Sequence, residues 1–391
     1  TGLNPLDLVD LYGADATRFS LLAQAGAVQD VRFDAEIEDN VVKSSASAEM
    51  GRNFGNKVWN AARFVLMNLE GYQADDTVPE RFELADRWIW SRLAHAVQEV
   101  GDRLETYRFS DVTRALYDFL WRDYCDWYVE LAKARLNGEN ADERLAAQTN
   151  LVAVLETALR LMHPVMPFIS EALWQALPKG EGAAESIMIA PWPKANPADI
   201  DAEAEQVMGR IQEIVTAVRT IRSEMNVPPA SAIRVLLSTS DAEQVGAQRE
   251  MGKYIALLTR ADEVEVGHNL SQPAASGSAV LGELEIFVPL EGLIDLDVER
   301  RRLEKEIAKF EKLLKSLAGK LNNEKFLSKA PAEVVERERE VREVRAELRR
   351  AVTTAPLAGG PERSLQLVEA LGRRVEELHA QARGQATRIR L

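Results

Sequence analysis

Guanidinium and carboxamide side chains recur along one side of the stretch Met-Gly-Arg-Asn-Phe-Gly-Asn-Lys-Val-Trp-Asn-Ala-Ala-Arg-Phe-Val-Leu-Met-Asn-Leu, from Met50 to Leu69. Groups of this kind form paired hydrogen bonds with base edges, and a ring among them can stack on an unpaired base. At about 100° per residue, Arg52, Asn56 and Arg63 share a side, with Asn53 and Asn60 at one edge and Trp59 at the other. Met50, Phe54, Val58, Ala61 and Val65 form an apolar stripe opposite them. The spacing predicts an amphipathic helix with one buried face. Its polar face is suited to reading bases, and contact with water alone is the competing reading.

Other chemistry is sparse. The single cysteine, Cys125, rules out an internal disulfide and a thiolate zinc cluster. His95, His163, His268 and His379 have no metal-ligand spacing, so core or surface roles are expected for them and no metal is assigned. No glycine-rich phosphate loop of the G-x-x-x-x-G-K-[ST] or dinucleotide type occurs, so no cofactor is assigned to this chain. There is no run of 18 apolar residues and no signal-peptide pattern, so no membrane partner is expected and a cytoplasmic location is the default.

The elements that must position the polar helix are themselves helical. Residues 1–45 are expected to form a short connector with a turn at Gly26 and an extended piece near Val31 to Phe33. Residues 46–200 are expected to form a bundle of four or five helices. Its next members are Ala85 to Thr106, a helix capped by Ser110 and Asp111, and a third from about Asp142 to Met162. The second carries Phe119, Tyr124, Trp127 and Tyr128, which at this spacing suit helix packing and, less readily, base stacking. Pro164 and Pro167 break the chain before a helix from Phe168, and Ser186 to Ile189 is expected to be β-like. Residues 201–292 read as a small α/β unit with a helix striped by Val207 to Met225 and strands at Ile233 to Leu237, Val264 to Val266 and Val280 to Val288. Arg219 and Arg222 on that helix suit either contact with RNA or a solvated or ion-paired face.

Residues 293–352 change pattern. Leu303, Ile307, Phe310, Leu314, Leu317 and Leu321 alternate four and three apart, followed by a break at Asn322 to Pro331 and a weaker returning stripe. An antiparallel helical hairpin within a monomer satisfies this more simply than a dimer. The chain carries a formal charge of −14, yet residues 299–350 hold 16 Lys plus Arg against 11 Glu. A basic arm on an acidic body favours local over indiscriminate contact with a polyanion. Residues 353–391 add a linker and one more amphipathic helix, for which the sequence supplies no function.

Several separated strings carry a resemblance. G-R-N-F-x-N-K-x-W-N-A-x-R-F-V-L resembles the opening of the anticodon-binding helical domain of bacterial valyl-tRNA synthetases. Tyr12 to Phe19 with Gln29 to Phe33 is similar to the family's stem-contact region, and His163 to Trp174, Ala190 to Pro193 and Ile221 to Pro229 are similar to its later landmarks. Lys329 to Val335 resembles the far end of its coiled-coil arm. The resemblance implies a mainly α fold made of an anticodon-binding bundle, a small α/β unit and an antiparallel coiled-coil arm. It implies tRNA-Val as partner and Arg52, Asn53, Phe54, Asn56, Lys57, Asn60 and Arg63 as anticodon contacts. Phe54 is in conflict, since base stacking requires an exposed ring and the apolar stripe requires a buried one; a helix break at Gly51 or Gly55 would expose it. For the arm, the resemblance implies contact with the tRNA elbow through Arg300, Arg301, Lys305, Lys309, Lys312 and Lys325, each of which also suits a solvated face.

The family's two ATP-site signatures, of the H-I-G-H and K-M-S-K-S types, do not occur in the sequence. The chain is therefore expected to be the C-terminal part of a longer synthetase, beginning just after the lysine-rich loop and without catalysis of its own. ATP with magnesium, and the catalytic and editing domains, would belong to the parent polypeptide. The same architecture in an isoleucyl- or leucyl-type synthetase, or a non-enzymatic coiled-coil scaffold, are the alternative readings.

Overall fold

The computed structural model describes residues 3–26, 33–38, 41–74 and 83–293. These fall into two compact units divided between Gln212 and Glu213.

The first unit is helical. Helices α1 (Pro5–Tyr12) and α2 (Ala14–Gln24) are followed by a short antiparallel pair, β1 (Glu36–Glu38) and β2 (Val41–Ser44), which the sequence reading did not anticipate. The extended piece expected near Val31 lies mostly outside the described residues. Helix α3 (Ala46–Met67) starts at Ser45, whose hydroxyl accepts from the Ala48 amide at 3.2 Å, and Glu49 sits favourably in its first turn. Then come α4 (Leu84–Glu105), α5 (Phe109–Tyr117), a π-helix over Asp118–Tyr128, and α6 (Val129–Leu136). Helices α7 (Ala141–Met162) and α8 (Pro167–Ala176) complete the bundle, and α3 packs on α2, α8 and the π-helix.

Two local expectations are corrected. Helix α5 begins at Phe109 after Arg108, so Ser110 lies inside its first turn; Tyr107 takes φ 58° and Arg108 pairs with Asp111 at 2.5 Å to start the helix. Ile187–Ile189 is a 3₁₀ turn capped by the Ser186 hydroxyl rather than a strand.

The proline break is closed from a distance. The Arg18 guanidinium donates to the carbonyls of Pro164 (2.8 Å) and Val165 (3.1 Å), and the Asp15 carboxylate accepts from the amides of Phe168 (3.2 Å) and Ile169 (2.7 Å). One helix therefore satisfies the open carbonyls before α8 and the open amides that begin it. Close packing of α2 on α3 depends on Gly51. A β-carbon there would lie 2.5 Å from the Ala16 carbonyl oxygen, a backbone atom that cannot swing aside. Gly51→Ala is expected to cost about 1–3 kcal/mol through overpacking, read as a lower urea midpoint with an unchanged slope. An unaltered midpoint would mean that the two helices separate freely.

Cys125 lies buried in the π-helix, and burial pushes its thiol up to about 12. Since the thiolate is the reactive form, Cys125 is expected to label with a thiol reagent at neutral pH only as the bundle opens. Rapid labelling of the folded chain would contradict this.

The second unit holds the end of α9 (Ala202–Glu224), then β3 (Ile233–Thr239), α10 (Gln244–Thr259), β4 (Ala261–His268), β5 (Ser276–Leu281) and β6 (Leu284–Pro289). The sheet order is β4-β3-β6-β5, with β3 and β4 parallel across the α10 crossover and the other neighbours antiparallel. What the sequence suggested as one strand from Val280 to Val288 is a hairpin, turned at Gly282 with φ 62°. Arg222 is buried and donates to the carbonyls of Thr259 (2.7 Å), Pro228 (2.8 Å), Ser231 (2.9 Å) and Pro229 (3.1 Å). Burial, and then Arg260 nearby, lower its pKa, and the four carbonyls hold it in place. Arg219 donates to the Leu258 carbonyl at 3.1 Å. Arg222 is thus committed inside the unit, whereas Arg219 stays exposed with a bond to the same segment. Arg222→Leu would strand several carbonyls, each costing about 1–3 kcal/mol. The expected result is loss of cooperative unfolding in this unit; hydrogen exchange in β3 unchanged from the parent would overturn it.

Candidate nucleic-acid interface

Helix α3 presents the face that the sequence suggested, with two exceptions. Phe54, Val58 and Val65 are fully buried and Ala61 nearly so, whereas Met50 at the start of the stripe is 43% exposed. Phe54 is the larger correction. The helix runs unbroken through Gly51 and Gly55, and the Phe54 ring is 0% exposed, with its centroid 4.8 Å from that of Phe19 and 5.5 Å from that of Tyr117. In this structure it has no free face on which a base could stack. The two glycines serve close packing, Gly51 against Ala16 and Gly55 against Met166.

Asn53, Asn56, Asn60 and Arg63 are all exposed along the outer side of α3, and their side chains make no hydrogen bond or ion pair among the described residues. Three carboxamides offer donor and acceptor together, and the guanidinium offers a rigid fork of donors. Folding leaves these groups in water, where an external partner can use them without first breaking an internal bond. Trp59, 47% exposed, borders the face.

Arg52 and Lys57 are placed differently. Arg52 pairs with Glu49 at 2.6 Å and stands 5.4 Å from the centre of the Tyr12 ring. Lys57 pairs with Asp126 of the π-helix at 2.5 Å and stands 5.3 Å from the Trp121 ring centre. A comparable unit lies farther along the same flank, where Lys133 pairs with Glu130 at 2.6 Å and approaches the Phe64 ring at 5.4 Å. Sequence reasoning missed Trp121, Asp126 and Lys133 because they come from the π-helix and α6 and meet α3 only after folding. Exposed pairs of this kind add little stability and can be exchanged for other partners at small cost.

Among the core-assigned aromatics, Phe119, Tyr124 and Tyr128 are buried. The stem-contact string also has an internal role, because Asp15 and Arg18 within it bridge to the α7–α8 break. Arg300, Arg301, Lys305, Lys309, Lys312 and Lys325 lie outside the described residues. No group of three metal-binding side chains, and no helix long and apolar enough to cross a membrane, is found among the described residues.

The sequence matches two family models. Residues 86–237 match the anticodon-binding domain of tRNA ligases, and residues 295–355 match the valyl-tRNA synthetase tRNA-binding arm. Relatives named valine–tRNA ligase include that of Syntrophotalea carbinolica, 44% identical over 86% of this chain and 37% of the relative. That of Geobacillus kaustophilus is 40% identical over 90% of this chain and 38% of its own length, and that of Listeria innocua 40% over 86% and 37%. In sequence the chain resembles the valine–tRNA ligases. It spans somewhat over a third of the length of these relatives and matches their C-terminal part. The two matched models are those of an anticodon-binding domain and a tRNA-binding arm, and neither the isoleucyl- or leucyl-type reading nor the scaffold reading is favoured. The first model begins at Asp86, so α3 precedes the matched domain in sequence although it packs against the π-helix inside it.

Proposed function

We propose that this chain binds tRNA-Val, with the outer face of α3 meeting the anticodon and the basic residues of the arm meeting the elbow. The observation that carries the reading is the row of exposed, uncommitted carboxamides and a guanidinium on α3, beside a domain of the anticodon-binding type. In the parent polypeptide, catalytic and editing domains would attach valine to the tRNA with ATP and magnesium and clear mischarged products. The chain by itself would bind without catalysing, as a monomer in the cytoplasm.

Binding of the purified chain to a tRNA-Val transcript, and to the same transcript with its anticodon replaced, tests this at two salt concentrations. Tighter binding to the valine anticodon, weakening with salt as counterions are released, is the expected result. Equal affinity for both transcripts would remove the anticodon from the reading.

A further inference from the structure

Four rings run in series from the core to the surface of the first unit. Phe19 and Phe54 are buried, with centroids 4.8 Å apart; Tyr117 follows at 5.5 Å, and Trp121 at 5.1 Å from Tyr117 with only 15° between the ring planes. Tyr117 and Trp121 are both half-buried. The series thus begins in packed interior and ends at solvent. Its end lies next to Lys57, one helical turn from Asn53 and from Asn60 on α3.

Two features single out Trp121 from an ordinary rim aromatic. It sits in an eleven-residue π-helix, a conformation that is rare in proteins and concentrates at functional sites. Its ring is also attended by a lysine that is held by Asp126 and not required by any buried group. A cation beside a half-buried indole occupies the position that a flat π system would take, and it can be displaced cheaply because the Lys57–Asp126 pair is more than a third exposed on the aspartate side.

We infer that Trp121, backed by Tyr117, is the base-stacking platform of the α3 interface, and that Lys57 leaves the ring for RNA phosphate when a base arrives. This rests on the proposed anticodon-binding role and adds to it the stacking surface that the buried Phe54 cannot supply. Asn53 and Asn60 are then placed to reach the edge of the base whose face Trp121 covers. Asp126 acts as a positioning residue, keeping Lys57 beside the ring in the free chain.

The test uses the full chain and an RNA hairpin bearing the valine anticodon loop. Trp121→Leu is expected to weaken binding of this hairpin about ten-fold, within the range for loss of one aromatic–base stack. Trp121→Phe, which keeps a smaller ring, is expected to retain most of the affinity and to lose part of the tryptophan quenching that the hairpin produces. The Phe variant also serves where the Leu variant does not fold. Anticodon-dependent binding that survives Trp121→Leu in a folded chain, or an undiminished quench in Trp121→Phe, would overturn the platform and leave the anticodon reading intact. Failure of the unaltered chain to distinguish the two hairpins would overturn both.

Discussion

Replacing Asp86 with alanine is expected to destabilise the helical bundle by about 3–5 kcal/mol, the range for removing one partner of a buried ion pair. Asp86 is 0% exposed near the start of α4. Its two carboxylate oxygens receive the Arg135 guanidinium as a fork, Nη1 to Oδ2 at 2.7 Å and Nη2 to Oδ1 at 2.6 Å, and Tyr128 donates its hydroxyl to Oδ1 at 2.6 Å. The start of α4 is therefore joined at one carboxylate to residues 42 and 49 positions later in the chain. Burial, followed by the negative charge of Asp86, pushes the Tyr128 hydroxyl well above its usual range, which keeps it a donor. Burial opposes the charge on Arg135, but the hydrogen bonds it donates to Asp86, and that residue's negative charge, raise its pKa. Removing the carboxylate leaves a charged guanidinium and a phenol without partners in a closed site. The melting temperature of the bundle should fall by roughly 6–20 °C, given 2–4 °C per kcal/mol for a domain of this size. A fall under about 3 °C would mean that water reaches the site and compensates. The double variant Asp86→Leu with Arg135→Met should be less destabilised than either change alone, since it leaves no charge unpaired.

The legibility of the fold followed how local each determinant is. Helix α7 was readable because its start, the Asn140 side chain accepting from the Asp142 and Glu143 amides, and its end at the proline pair both lie in adjacent sequence. The stripe of α9 and the strand at Ile233 were readable for the same reason: one face of each is apolar at its own period. The π-helix was not, because its residues have ordinary helical composition and an apolar face, Phe119, Tyr124, Cys125 and Tyr128, that would be buried in an α-helix as well. The hairpin at Gly282 was missed because alternation continues across a two-residue turn, and only the positive φ there breaks it. The interface divides in the same way. Exposure of Asn53, Asn56, Asn60 and Arg63 follows from helical geometry alone, whereas the burial of Phe54 depends on Phe19 and Tyr117 arriving from other helices. Arg222 shows the limit most plainly. A guanidinium on a helix offers the same sequence signal whether it meets a phosphate or four carbonyls of its own chain.

Substituting Asn56 and Arg63 together by alanine is expected to cost about ten- to several-hundred-fold in affinity for tRNA-Val while leaving stability nearly unchanged. The first half of the expectation follows from the chemistry of recognition, since a good paired contact to a base contributes roughly 1–3 kcal/mol of discrimination and each 1.4 kcal/mol is ten-fold. The second half follows from the structure. Both side chains are exposed, neither has a hydrogen-bond or ion-pair partner among the described residues, and alanine is the strongest helix former. Surface changes of this kind usually fall within about 0.5 kcal/mol. The two residues should also separate by salt dependence. Arg63→Ala removes a positive charge and should flatten the salt slope if the guanidinium meets phosphate, whereas Asn56→Ala should lower affinity equally at every ionic strength. An unchanged salt slope in Arg63→Ala combined with lost anticodon preference would place the guanidinium on a base edge instead. A folded double variant that binds tRNA-Val as tightly as the parent would return the polar face of α3 to solvent and leave the arm to carry the RNA contact. The affinities of the single variants then decide how the face works, because two groups reading one base lose more singly than their shares of the total, while groups reading separate bases add.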